Sequence, residues 1–178
     1  VFVSKTCLLI AIMSSSYILK FCLELIRWQN DKAMVNFYWV EVFEKVENLK
    51  KGIIPIYEPG LEELVLKNYK NKRLKFSTNL KESVSKSDII FICVGTPTKK
   101  NNNGADLSQI YNVAKEISSS ISKFKIIITK STVPVTTGDE IQKIINKKKS
   151  NKFFSIVSNP EFLREGEAIR DFIYPDRI

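Results

Sequence analysis

The chain has no histidine, and its first 51 residues contain no glycine. The first absence excludes a His-ligated metal site and a Ser-His-Asp triad. Cysteine is scarce: Cys7, Cys22 and Cys93 form no CxxC pair and are odd in number, which excludes a disulfide framework. Cys93 stands inside an apolar run, where a small buried hydrophobe is expected rather than a nucleophile. A reducing, cytoplasmic setting fits this usage. The glycine gap bears on nucleotide binding. An α/β nucleotide-binding domain opens with a strand and a glycine-rich turn, so that backbone can approach pyrophosphate at a helix N-terminus. A side chain at each glycine position would block that approach.

What is present is a globular composition. The 178 residues are 44% apolar and carry a net charge of +9, enough length for one buried core. Apart from Lys147-Lys148-Lys149 the basic residues are dispersed, and aromatics do not interleave with them as a stacking platform requires. A solvated basic surface is therefore expected, with no nucleic-acid partner. Residues 1 to 40 are the divergent part. Cys7 to Met13 with Lys5 before it and Ser14-Ser15-Ser16 after it loosely imitates a leader peptide, and Lys20 and Glu24 interrupt any membrane-length run. No membrane partner is expected.

Strand and helix signals then alternate. Val1 to Val3 or Leu8 to Ile12 reads as a first strand, and Phe37 to Val42 as a second. A helix over Glu44 to Lys51 ends at Gly52, and an amphipathic helix covers Leu61 to Tyr69. Leu74 to Ser77 is a short strand, and Asn79 caps a helix to about Lys86. The continuous apolar run from Asp88 to Val94 is a strand buried on both faces. After a polar, flexible loop from Lys99 to Gly104, Asp106 or Ser108 caps a helix to about Ser122. Lys125 to Thr129 is a strand, Thr137 or Gly138 opens a helix to Lys149, and Phe153 to Val157 is the last strand. This alternation predicts an α/β fold with a doubly wound, mostly parallel sheet.

Such sheets hold ligands beyond the carboxyl ends of their strands. Three loops fall there: Gly95 to Thr98, Lys130 to Val133, and Asn159 to Gly166. The first two offer hydroxyls and backbone amides. In the third, Asn159-Pro160 stops the strand, and Glu161 and Glu165 follow with Arg164 between them. A spacing of four puts both carboxylates on one side of a helical turn if the segment coils. Glu41, near the end of the second strand, is placed to bond ribose hydroxyls.

Five segments together resemble a known family. Gly52-Ile53-Ile54-Pro55-Ile56-Tyr57-Glu58-Pro59-Gly60-Leu61, Val94-Gly95-Thr96-Pro97-Thr98, Lys130-Ser131-Thr132-Val133-Pro134, Ser158 to Gly166, and Tyr174-Pro175-Asp176-Arg177-Ile178 are similar to the N-terminal NAD-binding domain of the UDP-glucose 6-dehydrogenases, within the UDP-glucose/GDP-mannose dehydrogenase family. The resemblance runs from about residue 42 to 178. It implies a Rossmann-like fold and NAD-dependent, two-step oxidation of UDP-glucose to UDP-glucuronate, a precursor for polysaccharide biosynthesis. Two hydrides leave to two NAD molecules, and a cysteine thioester is hydrolysed on the way. The resemblance gives Glu161 the acid/base role and Thr132 the holding of a water. It also gives NAD contacts to Lys45, Thr98, Thr132 and Glu165, and substrate contacts to Glu161, Phe162, Leu163, Arg164 and Glu165. Family members are homo-oligomers whose dimerising helix is expected beyond Ile178.

The chain departs from that pattern in its first βα unit, which lacks the glycine turn. The ribose-binding aspartate is expected five residues before Lys45, where Val40 stands; Glu41 replaces it if one residue has been lost. The break near residue 40 resembles a shifted reading frame or a degraded start. Encoding DNA with no frame that restores Gly-x-Gly-x-x-Gly would overturn that expectation. A first strand so replaced is expected to leave the middle of the sheet poorly packed. The family's nucleophilic cysteine, in a Gly-Gly-x-Cys motif, is also expected beyond residue 178. Alternatives are a non-catalytic nucleotide or nucleotide-sugar binding module and a different nucleotide-sugar dehydrogenase. The pure 178-residue chain is expected to produce no NADH from NAD and UDP-glucose; steady growth of NADH absorbance would refute this.

Overall fold

A computed structural model of the chain describes residues 8–13, 34–39, 43–54, 59–99, 104–160, 167, 170–171 and 174. The described strands are β1 (Leu8–Met13), β2 (Met34–Trp39), β3 (Leu74–Ser77), β4 (Ile89–Cys93), β5 (Lys125–Thr129) and β6 (Phe154–Ser158). The described helices are α1 (Phe43–Lys50), α2 (Leu61–Lys70), α3 (Leu80–Lys86), α4 (Ser108–Ser120) and α5 (Thr137–Asn146). The strands form one sheet in the order β3-β2-β1-β4-β5-β6. Every neighbouring pair is parallel. This is the doubly wound order, which reverses direction between β1 and β4.

Of the two candidates for a first strand, Leu8 to Ile12 is the one found in the middle of the sheet, as Leu8–Met13. β1 pairs with β2 from Leu8↔Met34 to Met13↔Trp39, and with β4 from Leu9↔Ile89 to Met13↔Cys93. The physical reason is a division of labour. A central strand needs a pairing backbone and a short apolar run, which Leu8 to Met13 supplies; the glycine requirement belongs to the turn that follows. That turn falls in residues 14–33, outside the described residues. The run that imitates a leader peptide is thus a sheet strand, and no helix among the described residues is long and apolar enough to cross a membrane.

Element ends moved where tertiary pairing overrides local signals. β2 lies at Met34–Trp39 rather than Phe37 to Val42, because its register is set by β1 on one side and by β3 (Val35↔Leu74 to Tyr38↔Ser77) on the other. β6 starts one residue late, since Phe153 closes a 3-10 turn, and extends to Ser158, which pairs with Thr129. α4 ends at Ser120 and α5 at Asn146, both short of expectation. Neither Asp106 nor Ser108 occupies the cap position of α4. Leu107 does, and Asp106 Oδ1 accepts the Ser108 backbone N–H at 2.9 Å from one residue further out. That backbone bond, with the Ser108 hydroxyl, holds the Asp106 carboxyl below the usual carboxylate range. The loop expected over Lys99 to Gly104 lies outside the described residues at 100–103; at its ends Lys99 N–H donates to Gly104 O at 2.9 Å and Thr98 bridges Ala105.

Other local signals hold. Asn79 caps α3 by accepting the Glu82 N–H at 3.1 Å. Gly52 ends α1 in the left-handed region (φ 82°), with Ile53 N–H donating to Asn48 O and Gly52 N–H to Leu49 O. A side chain there would be strained by φ and would strike Leu66, whose Cδ2 lies 2.7 Å from the added Cβ. β4 is buried on both faces as its unbroken apolar run requires: Ile90, Phe91, Ile92 and Cys93 are all buried. Ile90, Ile92 and Ile127 pack with Val84 of α3, Ala114 of α4 and Ile141 of α5 in one core. Around β3, the Tyr69 ring of α2 stacks on Phe76 at 5.7 Å.

The amino end of β5 carries a lysine where an apolar residue is usual. Lys125 is fully buried, and its ammonium donates to Ser85 O at 3.2 Å and to Ser87 O, at the carboxyl end of α3. Burial pushes its pKa down to about 8, Lys123 adds to that, and Asp88 opposes it. Between about 8 and the ordinary 10.5, the unfolded chain holds a proton that the folded chain has released. The unfolded state binds more protons there, so this group makes stability rise with pH across that window. In urea unfolding, the wild-type midpoint should gain on that of Lys125→Met as pH is raised from below to above that value; a constant difference would refute the assignment.

Candidate functional site

Because all the strands are parallel, their carboxyl ends share one edge, and every loop that leaves them begins there. Cys93 and Met13 are paired at the reversal point of the sheet, so the segment after β4 starts beside the end of β1. The three loops expected at this edge are joined to one another. Ser131, which is buried, donates its hydroxyl to Val94 O at 2.7 Å. Thr96 donates its hydroxyl to Thr132 O at 3.1 Å. These two bonds tie the loop after β4 to the loop after β5. Lys130 Nζ donates to Asn159 Oδ1 at 3.1 Å and to Pro160 O at 3.4 Å, tying the loop after β5 to the loop after β6. Backbone bonds extend the ladder into the same region: Lys130 N–H to Ile92 O at 2.9 Å and Asn159 N–H to Thr129 O at 3.0 Å.

The residues singled out from sequence fall into two groups. Thr132 is exposed on the rim, its backbone pinned by Thr96. Thr98 is also exposed and bridges Ala105, with Asp106 N–H donating to Pro97 O at 2.7 Å. Lys45 lies in the first turn of α1, the helix that follows the carboxyl end of β2, and so belongs to the same edge. Glu41 falls two residues after β2 ends and lies outside the described residues, as do Val40, Glu161, Phe162, Leu163, Arg164 and Glu165. What the structure brings together is therefore Thr96, Thr132, Lys130 and Asn159. Among the described residues, no cluster of three or more His, Cys, Asp or Glu is placed to hold a metal ion.

Thr96, Ser131, Lys130 and Asn159, which make the bonds between the loops, have no functional role assigned from sequence. Thr96 and Ser131 were legible only as hydroxyls in a loop. Lys130 had a signal: a lysine directly after the run Ile126-Ile127-Ile128-Thr129, at the end of a buried strand. It is 4% exposed, and a lysine that deeply buried must have its charge answered.

An open parallel sheet in this order, with the loops after β4, β5 and β6 hydrogen-bonded to one another at its ligand edge, defines a dinucleotide-binding domain. Residues 41–178 match the model of the UDP-glucose/GDP-mannose dehydrogenase family, NAD binding domain. The chain belongs to that family, and the cofactor of the domain is NAD. It is 52% identical over 134 residues to the UDP-glucose 6-dehydrogenase of Rhizobium meliloti, covering 75% of this chain and 31% of that protein. It is 47% identical over 134 residues to the UDP-glucose 6-dehydrogenase TuaD of Bacillus subtilis, covering 75% and 29%. Among solved structures, a UDP-glucose dehydrogenase from Pyrobaculum islandicum superposes with a TM-score of 0.87 at 32% identity, covering 100% of this chain and 41% of that one. A ternary complex of GDP-mannose dehydrogenase from Pseudomonas aeruginosa gives 0.83 at 34% identity, covering 93% and 39%. The chain thus spans about a third of the length of the curated relatives it matches.

The residues present fit NAD unevenly. The edge over β4 and β5 offers exposed Thr98 and Thr132 beside the reversal point, the composition and position such a ligand requires. The segment after β1 has no glycine to let backbone approach a pyrophosphate. The bonds between the loops are the testable part of this geometry. Ser131→Ala leaves Val94 O without its hydroxyl donor and should cost about 1–3 kcal/mol in urea unfolding. Thr96→Val, at a more open bond, should cost about 1 kcal/mol or less.

Proposed function

We propose that this chain is the NAD-binding part of a UDP-glucose 6-dehydrogenase, the enzyme that oxidises the C6 alcohol of UDP-glucose to the carboxylate in two NAD-dependent steps. The observation that carries the reading is the family match over residues 41–178 coinciding with three loops bonded over one sheet edge. NAD, when bound, supplies the hydride acceptor. The chain's own contribution is to hold the ligands and to move a proton. Glu161 takes and returns the proton at its carboxylate near the reacting carbon. The exposed Thr132, on a backbone pinned by Thr96, orients the water that hydrolysis needs. Lys45, Thr98, Thr132 and Glu165 hold NAD, with Glu41 at the ribose; Phe162, Leu163, Arg164 and Glu165 hold the nucleotide sugar beside Glu161.

The isolated 178 residues bind without turning over, since none of Cys7, Cys22 and Cys93 stands in a Gly-Gly-x-Cys context. Cys93, buried in β4 and in no disulfide, packs as a hydrophobe and accords with a reducing, cytoplasmic setting. Titration calorimetry with NAD and with UDP-glucose tests the reading, and binding of UDP-glucose without NADH formation is the expected result. Lys45→Ala should weaken NAD about tenfold, one charge-assisted hydrogen bond, and leave UDP-glucose within about twofold. Failure to bind either ligand would make the chain a relic of the family rather than a working part of it.

A further inference from the structure

The end of β6 poses a problem of hydrogen bonding. The parallel ladder with β5 continues one residue past the strand, through Asn159 N–H to Thr129 O at 3.0 Å. β6 ends at Ser158, and Pro160, two residues on, has no N–H to donate. Segment 161–165, to which the proposed function gives the acid/base and the substrate contacts, begins at that point. Lys130 reaches both Asn159 and Pro160 with its side chain. It directly follows β5, is 4% exposed, and donates from one ammonium to Asn159 Oδ1 at 3.1 Å and to Pro160 O at 3.4 Å. An ammonium withdrawn from water is costly unless its donors are met, and two of the acceptors that meet them lie on the two residues before Glu161. Its own backbone is anchored to Ile92 O at 2.9 Å, so the side chain works from a fixed base on the sheet.

We propose that Lys130 is a positioning residue. It ties Asn159 and Pro160, the two residues that follow β6, to the end of β5, and so sets the starting point of the segment that carries Glu161. The proposal rests on the function argued above only for what that segment binds; the clamp itself does not depend on it. A lysine suits the task because a single ammonium can serve two acceptors on adjacent residues, and a neutral apolar side chain can serve neither.

Two measurements on the 178-residue chain test the proposal. Lys130→Met should speed hydrogen exchange of the Asn159 amide about tenfold or more by NMR, while amides of β4 keep their rates, and Lys130→Arg should restore it in part. By calorimetry, Lys130→Met should weaken UDP-glucose about tenfold and NAD by no more than about threefold. Asn159→Ala removes one acceptor without touching the buried lysine. If Lys130→Met does not fold, the exchange at position 159 and the ligand split are read on Asn159→Ala with the same expectations. Unchanged exchange overturns the clamp. Equal weakening of both ligands, in step with a lower thermal midpoint, overturns the positioning role and leaves a merely structural lysine. If the unaltered chain binds neither ligand, the reading of function fails, and exchange alone decides whether the clamp exists.

Discussion

Parallel pairing of β1, β4, β5 and β6 is the constraint on which the rest of this molecule depends. Parallel strands cannot be joined by tight turns, so each returns through a crossover, and every strand ends at the same edge. That forces the segments after Cys93, Thr129 and Ser158 into proximity although 36 and 29 residues separate the partners of their bonds. The hydroxyls of Thr96 and Ser131 and the ammonium of Lys130 then turn proximity into a connected rim. None of these bonds has a local cause. Each exists because the sheet delivers its two ends.

β5 shows how far the same device is used. A buried lysine stands at its amino end and another just past its carboxyl end, and each spends its charge on backbone carbonyls of a neighbouring segment. Lys125 serves the last carbonyls of α3, a helix end whose C=O groups lack intrahelical partners. Lys130 serves a chain whose next residue is a proline. In both places the end of an element, a helix at Lys125 and a strand at Lys130, leaves polar backbone that a long side chain reaches. Desolvation is the cost, visible at Lys125 as a pKa of about 8.

How much of this was legible depended on the range of the cause. The short strand Leu74–Ser77, the strand Lys125–Thr129, the Asn79 cap and the Gly52 stop follow from signals within a few residues, and they stand as read. β2 was placed three residues late at its start, because aromatic and β-branched composition marks a strand without marking its register. The first strand was one of two candidates, Val1 to Val3 or Leu8 to Ile12, and the second is the one that pairs. The missing glycine turn left open whether the strand before it survived, and Leu8–Met13 pairs on both sides in the sheet centre. A turn and the strand that feeds it answer to different requirements, and a sequence can fail one while meeting the other.

By itself, the sequence determined the class of this protein: alternating buried strands and amphipathic helices, with five motifs in register from Gly52 onward that place it among the nucleotide-sugar dehydrogenases. It did so because periodicity and turn chemistry are local, and because motif residues keep their order along the chain. Only the tertiary structure decided that Leu8–Met13 fills the centre of the sheet, that Thr96 reaches Thr132, and that Lys130 holds Asn159 and Pro160. Those facts join residues from separate crossovers, and hydrogen bonds between distant segments have no period, spacing or composition from which they can be read.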